Sequence, residues 1–192
     1  MPGPATDRLN TYVDLLRRWN TSINLISRRD MDVVWQRHIE DSLQLGTVCG
    51  PLPPRAIDLG SGAGLPGLVL AIAFGIHVDL IEEDQRKCAF LREAARVTEA
   101  PVTVHATSIA AARVEPAPLV TARGLATLPR LLDHSEPLLA PGGACWFPKT
   151  RAAEGEVTDA LKAWSMRVER VPSRTDPNGV IFKLSEISRR SA

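Results

Sequence analysis

The sequence predicts an α/β protein built on a doubly wound, mostly parallel seven-stranded sheet, with a helical appendage at the N-terminus. Beyond residue 55, short apolar runs alternate with stretches of helical periodicity. The glycine-rich stretch A-I-D-L-G-S-G-A-G-L-P-G, residues 56–67, joins the first apolar run to the first such stretch. The last two apolar runs have no helical stretch between them. Strands that alternate with helices form parallel sheets, and a closing strand pair without a helix forms a hairpin.

The first fifty residues predict helices and no strand. A helix over residues 6–19, with Thr6 as its N-cap, brings apolar side chains to one face. These side chains are Leu9, Tyr12, Val13, Leu16 and Trp19. A loop over residues 20–27 precedes a second helix, which starts near Asp30 or Asp32 and ends near Leu45. Because C-G-P-L-P-P then interrupts the chain, we expect residues 1–50 to form the appendage and residues 51–192 the main domain.

The remaining elements follow from the same two periodicities. Strands are predicted at residues 56–59, 77–82, 101–105, 118–122, from 144, at 166–171 and at 179–184. Helices are predicted at residues 66–74, 85–97, about 127–139 and 152–164. The P-G-G stretch at 141–143 indicates a turn, and Asn178-Gly179 precedes the last strand. We therefore expect the last two strands to pair as an antiparallel hairpin at the sheet edge.

Composition limits the kind of protein this is. The chain has 192 residues, 44% hydrophobic and 23% charged, with a net charge of +1, so a basic surface must be a local patch. The three cysteines, Cys49, Cys88 and Cys145, lack metal-ligand spacing and predict reduced thiols without a metal site. No apolar run reaches membrane-spanning length, and the N-terminus has no signal core. These features predict a cytoplasmic, non-membrane protein, which we expect to be a monomer.

The glycine turn predicts a ligand site, because it follows the first strand of the sheet and lets the backbone approach a ligand closely. Gly62-x-Gly64-x-x-Gly67 matches the dinucleotide fingerprint, so a nicotinamide-dependent oxidoreductase is one alternative. The longer pattern Asp58-x-Gly60-x-Gly62-x-Gly64 is typical of S-adenosylmethionine-dependent methyltransferases. Both ligand classes place an adenosine at such a turn, so the glycines alone do not choose between them.

Charge favours the second ligand. A dinucleotide brings a pyrophosphate, which binds helix N-terminal N–H groups and avoids carboxylates. S-adenosylmethionine has no phosphate and carries a sulfonium and an ammonium, so Asp58 at the strand end is compatible with it. Glu82 ends the second strand, where an acid accepts ribose hydroxyls of either ligand, and Glu83 and Asp84 stand beside it. With the terminal hairpin, these residues predict a class I methyltransferase fold.

Six segments together resemble one family. They are W-N-T-S-I-N-L-I-S (19–27), R-H-I-E-D-S (37–42), D-L-G-S-G-A-G-L-P-G (58–67), R-K-C-A-F-L-R-E (86–93), T-A-R-G-L-A-T-L (121–128) and G-G-A-C-W-F-P-K (142–149). Their order and spacing resemble the bacterial small-subunit ribosomal RNA guanine-N7 methyltransferases, the glucose-inhibited division protein B family. The resemblance implies methyl transfer from S-adenosylmethionine to N7 of one guanine in 16S ribosomal RNA, as free RNA or within the 30S subunit.

The resemblance also implies cofactor contacts in the turn, beyond the third strand and at the arginine of T-A-R. Together with the turn and the strand-end acid, the expected cofactor-binding residues are Asp58, Gly60, Gly62, Gly64, Leu65, Glu82, Ile109, Ala110 and Arg123. The family usually has an arginine and a glutamate where this chain has Ser108 and Ala110. That departure motivates a further alternative, a non-catalytic RNA- or ribosome-binding module, and another methyl acceptor is a third.

Methylation of guanine N7 needs no general base, because N7 presents a free lone pair in the major groove. We therefore predict no general base and assign no catalytic residue, and we expect alignment of the reactants to determine the rate. RNA contacts are expected from basic side chains, with the pair Arg189-Arg190 at the C-terminal end as further candidates. The main RNA-binding candidates are Arg28, Arg29, Arg37, His38, Lys149 and Arg151.

Four further predictions concern the loops and aromatic side chains. The spacing of His38 and Asp41 permits a hydrogen bond between them on one helix face. Asn24 is expected to fix its loop through side-chain-to-backbone bonds. Trp35 and Trp146 are available to stack on RNA bases, whereas helical spacing places Trp19 in the core.

Overall fold

The computed structural model describes residues 3–48 and 50–190, and its strands form one sheet. The strands are β1 (Arg55–Leu59), β2 (His77–Glu82), β3 (Val102–Ala106), β4 (Ala117–Ala122), β5 (Leu139–Thr150), β6 (Trp164–Pro172) and β7 (Gly179–Arg189). Within the described ranges these seven lie in the order β3-β2-β1-β4-β5-β7-β6. The first five run parallel, and β7 pairs antiparallel with both β5 and β6. The predicted fold class and the edge hairpin are confirmed.

The N-terminal helices differ from the prediction in their bounds. Helix α1 (Pro4–Asn20) begins after Gly3, so Thr6 lies inside the helix and is not its N-cap. The predicted second helix is broken into pieces that wind differently. They are α2 (Arg28–Met31), a π-helical turn (Trp35–Glu40), α3 (Asp41–Leu43) and α4 (Leu45–Val48). Single π-helical turns are frequent at functional sites, and periodicity alone does not reveal them.

Four longer helices follow the strands. They are α5 (Gly67–Phe74), α6 (Gln85–Thr98), α7 (Leu128–Ser135) and α8 (Glu154–Ala163). Helix α7 is shorter than predicted, because Pro137 lacks the N–H to continue it and a 3₁₀ turn (Glu136–Leu138) takes over. Further 3₁₀ turns lie at Ile109–Ala111 and, before α8, at Arg151–Ala153, and Trp164 already belongs to β6.

The fifth strand begins earlier than the P-G-G stretch suggested. Leu139 pairs with Ala117, and the pairing with β4 resumes only at Leu119 and Ala144. The residues between bulge out of the ladder, and Gly142 takes a φ of +73° there. A turn-forming sequence therefore sits inside a strand as a bulge, which keeps β5 in the sheet.

The helices cover both faces of the sheet. Helices α1, α5 and α6 share one core cluster with β1 and β2, and α7 and α8 pack on the other face. The predicted apolar face of α1 is buried, and the Trp19 ring meets the Phe90 ring edge-on with centroids 5.8 Å apart. The division at residue 50 stays a prediction, although α1 contributes to the same core as the sheet.

Two predictions about composition are answered in the described ranges. Cys88 and Cys145 are buried free thiols, and Cys49 lies outside the described residues. No helix among the described residues is both long and apolar enough to cross a membrane.

Candidate active site

The glycine turn is a tight left-handed path held by one carboxylate. Gly60, Gly62 and Gly64 have φ values of +61°, +56° and +89°, which side chains rarely adopt. The Gly62 N–H donates to Glu82 Oε2 at 2.8 Å, and the Asp84 N–H donates to Glu82 Oε1 at 2.9 Å. Glu82 therefore ties the turn after β1 to the end of β2, a bracing role that sequence reasoning missed.

A cavity of about 480 Å³ opens above this turn and is called the turn cavity below. Six residues of the predicted cofactor set line it: Gly60, Gly62, Glu82, Ile109, Ala110 and Arg123. Its other lining residues were not predicted to bind the cofactor. Among these, Ile81 and Leu125 are apolar, whereas Lys87 and Arg130 are basic. The cavity thus has acidic, apolar and basic walls at the carboxyl ends of β1, β2 and β4.

Three predicted cofactor residues do not line the turn cavity. Asp58 is fully buried, and its Oδ1 accepts the Thr121 hydroxyl at 2.6 Å. A Cβ on Gly64 would stand 2.7 Å from the Leu68 Cβ, so this glycine is required by packing. Leu65 is 6% exposed and belongs to the core. These three residues shape the turn from inside, and their direct contact with the cofactor stays a prediction.

A second cavity, of about 650 Å³, adjoins the first and is called the cleft below. Its walls come from residues 30–44, from residues 148–156 at the end of β5 and the start of α8, and from the segment between β6 and β7. That last segment, residues 173–178, is called the hairpin loop below. Arg123 and Gly124 line both cavities and therefore form the wall between them. No sequence pattern predicted the cleft, because its walls are far apart along the chain.

Arg123 is held by two residues of the N-terminal segment. Its Nη1 donates to Asp41 Oδ2 at 2.9 Å, and its Nη2 donates to His38 Nδ1. The hydrogen bond predicted between His38 and Asp41 is absent from the contacts of the described residues, since both turn to Arg123 instead. An arginine only donates, so His38 Nδ1 accepts and its proton is assigned to Nε2. Burial, and then the Arg123 charge, lower the pKa of His38 to about 4, which keeps the ring neutral at pH 7.

The hairpin loop is fastened to the same N-terminal segment. The Thr175 hydroxyl donates to Asp41 Oδ1 at 2.8 Å, and Gln44 Nε2 donates to that oxygen at 2.7 Å. Gln44 Oε1 accepts the Arg174 N–H at 2.8 Å, and the residue is 5% exposed. A buried polar side chain with partners more than 120 residues away leaves no local signal in the sequence.

The RNA-binding candidates divide into two groups. Arg37, His38 and Lys149 line the cleft, whereas Arg28, Arg29 and Arg151 are exposed outside it. Lys149 is engaged within the protein, since its Nζ lies 2.6 Å from Glu156 Oε2 and donates to the Ala126 carbonyl at 3.0 Å. Arg37 pairs with Asp30 at 2.9 Å.

The remaining candidates are placed differently from the prediction. Trp146 is 4% exposed and packs in the core, so it is not free to stack on RNA, and Trp35 packs against the same core. The loop role given to Asn24 belongs to Asn20, whose Oδ1 accepts the N–H groups of residues 25 and 26. Arg189 lies over the Trp164 ring at the sheet edge.

Two buried groups give the fold opposite responses to pH. Burial raises the pKa of Asp58 from 3.8 to about 6, so this carboxyl favours folding at low pH and loses that contribution as the pH rises from 4 to 6. The lowered pKa of His38 favours folding above its ordinary value of 6.5, and this contribution is lost as the pH falls to 4. Between pH 4 and 6 the two effects oppose each other.

We expect Asp58→Asn to leave the pH dependence of stability that His38 causes without the opposing effect of Asp58. The free energy of unfolding of this variant should fall by roughly 3 kcal/mol more than that of the wild type between pH 6.5 and pH 4. His38→Gln should show the reverse, a free energy of unfolding that falls relative to the wild type as the pH rises from 4 to 6. Urea unfolding at pH 4, 5, 6 and 7 measures both. Parallel pH curves for the three proteins would contradict the assigned shifts.

Similarity to known proteins shows the family of this chain. The family profile described as GidB, rRNA small subunit methyltransferase G, matches residues 5–178. The chain belongs to this family. The ribosomal RNA small subunit methyltransferase G of Rhodospirillum centenum is 54% identical over 184 residues, which cover 96% of this chain and 85% of that one. The enzyme of the same name from Gluconobacter oxydans is 53% identical, covering 95% and 94%. The family resemblance noted in the sequence is confirmed.

Solved structures agree on the fold of this family member. Magnesium protoporphyrin IX methyltransferase from Synechocystis PCC 6803, solved with bound S-adenosylmethionine, superimposes with a TM-score of 0.62 at 15% identity, covering 91% of this chain and 96% of that one. The N-methyltransferase NodS from Bradyrhizobium japonicum WM9 has a TM-score of 0.57 at 18% identity, covering 81% and 98%. At these identities the likeness concerns the class I methyltransferase fold alone.

Proposed function

We propose that this protein transfers a methyl group from S-adenosylmethionine to N7 of a guanine in small-subunit ribosomal RNA. The observation that carries the proposal is the pair of adjoining cavities with Arg123 in their shared wall, in a chain of the rRNA small subunit methyltransferase G family. The turn cavity takes the methyl donor, and the cleft takes the acceptor base. Methyl transfer needs this arrangement, because donor and acceptor atoms must be aligned before reaction.

The residues of the turn cavity fit S-adenosylmethionine. Each Glu82 oxygen accepts one backbone N–H, which leaves a lone pair on each for the ribose hydroxyls. Ile81, Ile109 and Leu125 offer apolar surface for the adenine ring, and Lys87 offers a cation for the amino-acid carboxylate. When bound, S-adenosylmethionine supplies an activated methyl group on a positively charged sulfur.

The oxidoreductase alternative lacks the donors it needs. A dinucleotide site presents the N–H groups of its glycine turn to a pyrophosphate. Here the N–H groups of Gly62, Ser61 and Gly64 donate to Glu82, the Ile81 carbonyl and the Ser61 carbonyl, at 2.8, 3.1 and 2.6 Å. The turn therefore has few N–H groups left for an anion, which favours the cationic methyl donor.

The acceptor side needs positioning and no proton transfer. Guanine N7 attacks through its own lone pair, so no residue in the cleft has to remove a proton. A neutral His38 and an Arg123 held by Asp41 are consistent with an orienting role. The exposed Arg28, Arg29 and Arg151 are available for backbone phosphates, which dominate the affinity of nucleic-acid binding.

We expect Glu82→Gln to weaken binding of S-adenosylmethionine about ten-fold, because the amide nitrogen cannot accept a hydrogen bond from a backbone N–H or a ribose hydroxyl. Calorimetry with S-adenosylhomocysteine measures the affinity of the cavity without turnover. Glu83→Gln is the matched control, since Glu83 also lines the cavity but braces no N–H of the turn. Equal effects of the two substitutions would refute the bracing role of Glu82.

The direct test is incubation with methyl-labelled S-adenosylmethionine and small subunits from a strain that lacks this activity. Digestion of the RNA to nucleosides should place the label in 7-methylguanosine, and subunits that are already methylated should take up none. Label in another nucleoside or in protein would change the acceptor. Binding of S-adenosylhomocysteine and subunits without transfer would favour the non-catalytic alternative.

A further inference from the structure

The carboxylate of Asp41 lines the cleft and accepts hydrogen bonds with both of its oxygens. Its Oδ2 accepts from Arg123, the residue in the shared wall, at 2.9 Å. Its Oδ1 accepts from the Thr175 hydroxyl at 2.8 Å, in the hairpin loop that walls the cleft. The side chain of Asp41 is 19% exposed, so these contacts are partly shielded from water. One side chain therefore joins the wall of the turn cavity to the far wall of the cleft.

Gln44 fixes the orientation of this junction. Its Nε2 donates to Asp41 Oδ1 at 2.7 Å and to the Ser173 and Thr175 hydroxyl oxygens at 3.1 Å. Its Oε1 accepts the Arg174 N–H at 2.8 Å. Rotating the Gln44 amide by 180° would place its NH₂ group against the Arg174 N–H, donor against donor. The amide therefore has a single orientation. The hairpin loop is thereby held to the N-terminal segment in a single position.

We propose that Asp41 is a positioning residue that fixes the cleft, where the acceptor base binds, against the turn cavity, where the methyl donor binds. With one oxygen it holds Arg123, and with the other it holds the hairpin loop. The position of Arg123 in the shared wall and the position of the hairpin loop then depend on the same carboxylate. The inference rests on the proposed function, because it assigns the two cavities to a donor and an acceptor.

Two substitutions separate the two ends of this junction. Asp41→Asn keeps one oxygen for the loop but turns an amide N–H₂ toward the Arg123 guanidinium, donor against donor. Thr175→Val removes the hydroxyl of the loop and leaves the pair of Asp41 and Arg123 in place. Thr175→Ser keeps the hydroxyl and serves as the conservative variant. The measurements are kcat and KM for unmethylated small subunits, the affinity for S-adenosylhomocysteine, and the urea midpoint.

We expect Asp41→Asn to lower kcat about 30-fold or more, because displacement of a wall by an ångström is enough to misalign the reactants. Thr175→Val should raise KM for the subunits about ten-fold, the value of one hydrogen bond to a charged group. It should leave the affinity for S-adenosylhomocysteine within about two-fold of the wild type, and Thr175→Ser should restore KM.

Glu93→Gln is the control, since it removes an ion pair with Arg96 on α6 and lines neither cavity. The inference is overturned if Thr175→Val leaves KM unchanged, or if Asp41→Asn leaves kcat unchanged. Losses that merely follow the fraction of unfolded protein at the assay temperature would also overturn it. If the wild-type protein methylates no subunit, the proposed function is refuted, and the inference with it. If the wild-type protein is active and the variants have the same kcat and KM, only the inference is refuted.

Discussion

Replacement of Arg123 by lysine should lower kcat/KM for methyl transfer about 100-fold, even though the charge is kept. The guanidinium reaches Asp41 Oδ2 with Nη1 and His38 Nδ1 with Nη2. A single ammonium on a flexible stem cannot hold both partners in that geometry. Because Arg123 forms the wall between the cavities, its loss disturbs both ligands at once.

Steady-state kinetics with unmethylated subunits measures this effect, and circular dichroism reports whether the fold is kept. Arg96→Lys is the matched control, since Arg96 pairs with Glu93 on an exposed helix face. We expect that control to retain wild-type kinetics. A near-normal kcat/KM for Arg123→Lys would mean that the positive charge alone suffices and that the double contact has no kinetic role.

Gly64→Ala should lower the free energy of unfolding by about 3 kcal/mol, through two costs that act together. The φ of +89° disfavours any side chain. The new Cβ would lie 2.7 Å from the Leu68 Cβ and 3.1 Å from the Leu91 Cδ2, in a packed core. Gly75→Ala provides the matched comparison, because Gly75 has a φ of +69° with nothing within 4 Å of the added Cβ.

The Gly75 variant should lose only about 1 kcal/mol, the cost of the left-handed conformation by itself. Urea unfolding of both variants and the wild type gives the two differences. The excess loss of Gly64→Ala isolates the packing of the glycine turn against α5 and α6. Equal losses in the two variants would show that the turn can shift to make room for a methyl group.

The fold was predictable because its signals are local. Alternating strand and helix periodicities, the glycine turn and the final strand pair each occupy a short window of sequence. The predicted bounds of helices and strands were wrong where local signals conflict with tertiary packing. The P-G-G stretch is absorbed into β5 as a bulge, and the helix expected up to Leu45 is divided by a π turn.

The part of the candidate site around the glycine turn was predictable from the sequence. The glycine turn and Glu82 were expected from their pattern, and Arg123 was placed at a strand end. The cleft was not, since Asp41 and Gln44 contact a hairpin loop that lies 130 to 134 positions further along the chain. Asp58 and Leu65 show a related limit, because the motif alone does not reveal that both side chains are buried under the turn.

The two cavities also differ in how far apart their walls are along the polypeptide. The lining of the turn cavity spans residues 60–134, which are synthesised before the hairpin loop. The bonds that close the cleft join residues 129 to 134 positions apart. Loops of that length close late and at a higher entropic cost than short ones. A growing chain therefore contains the complete lining of the turn cavity before that of the cleft, whose last wall comes from the hairpin loop and the start of β7.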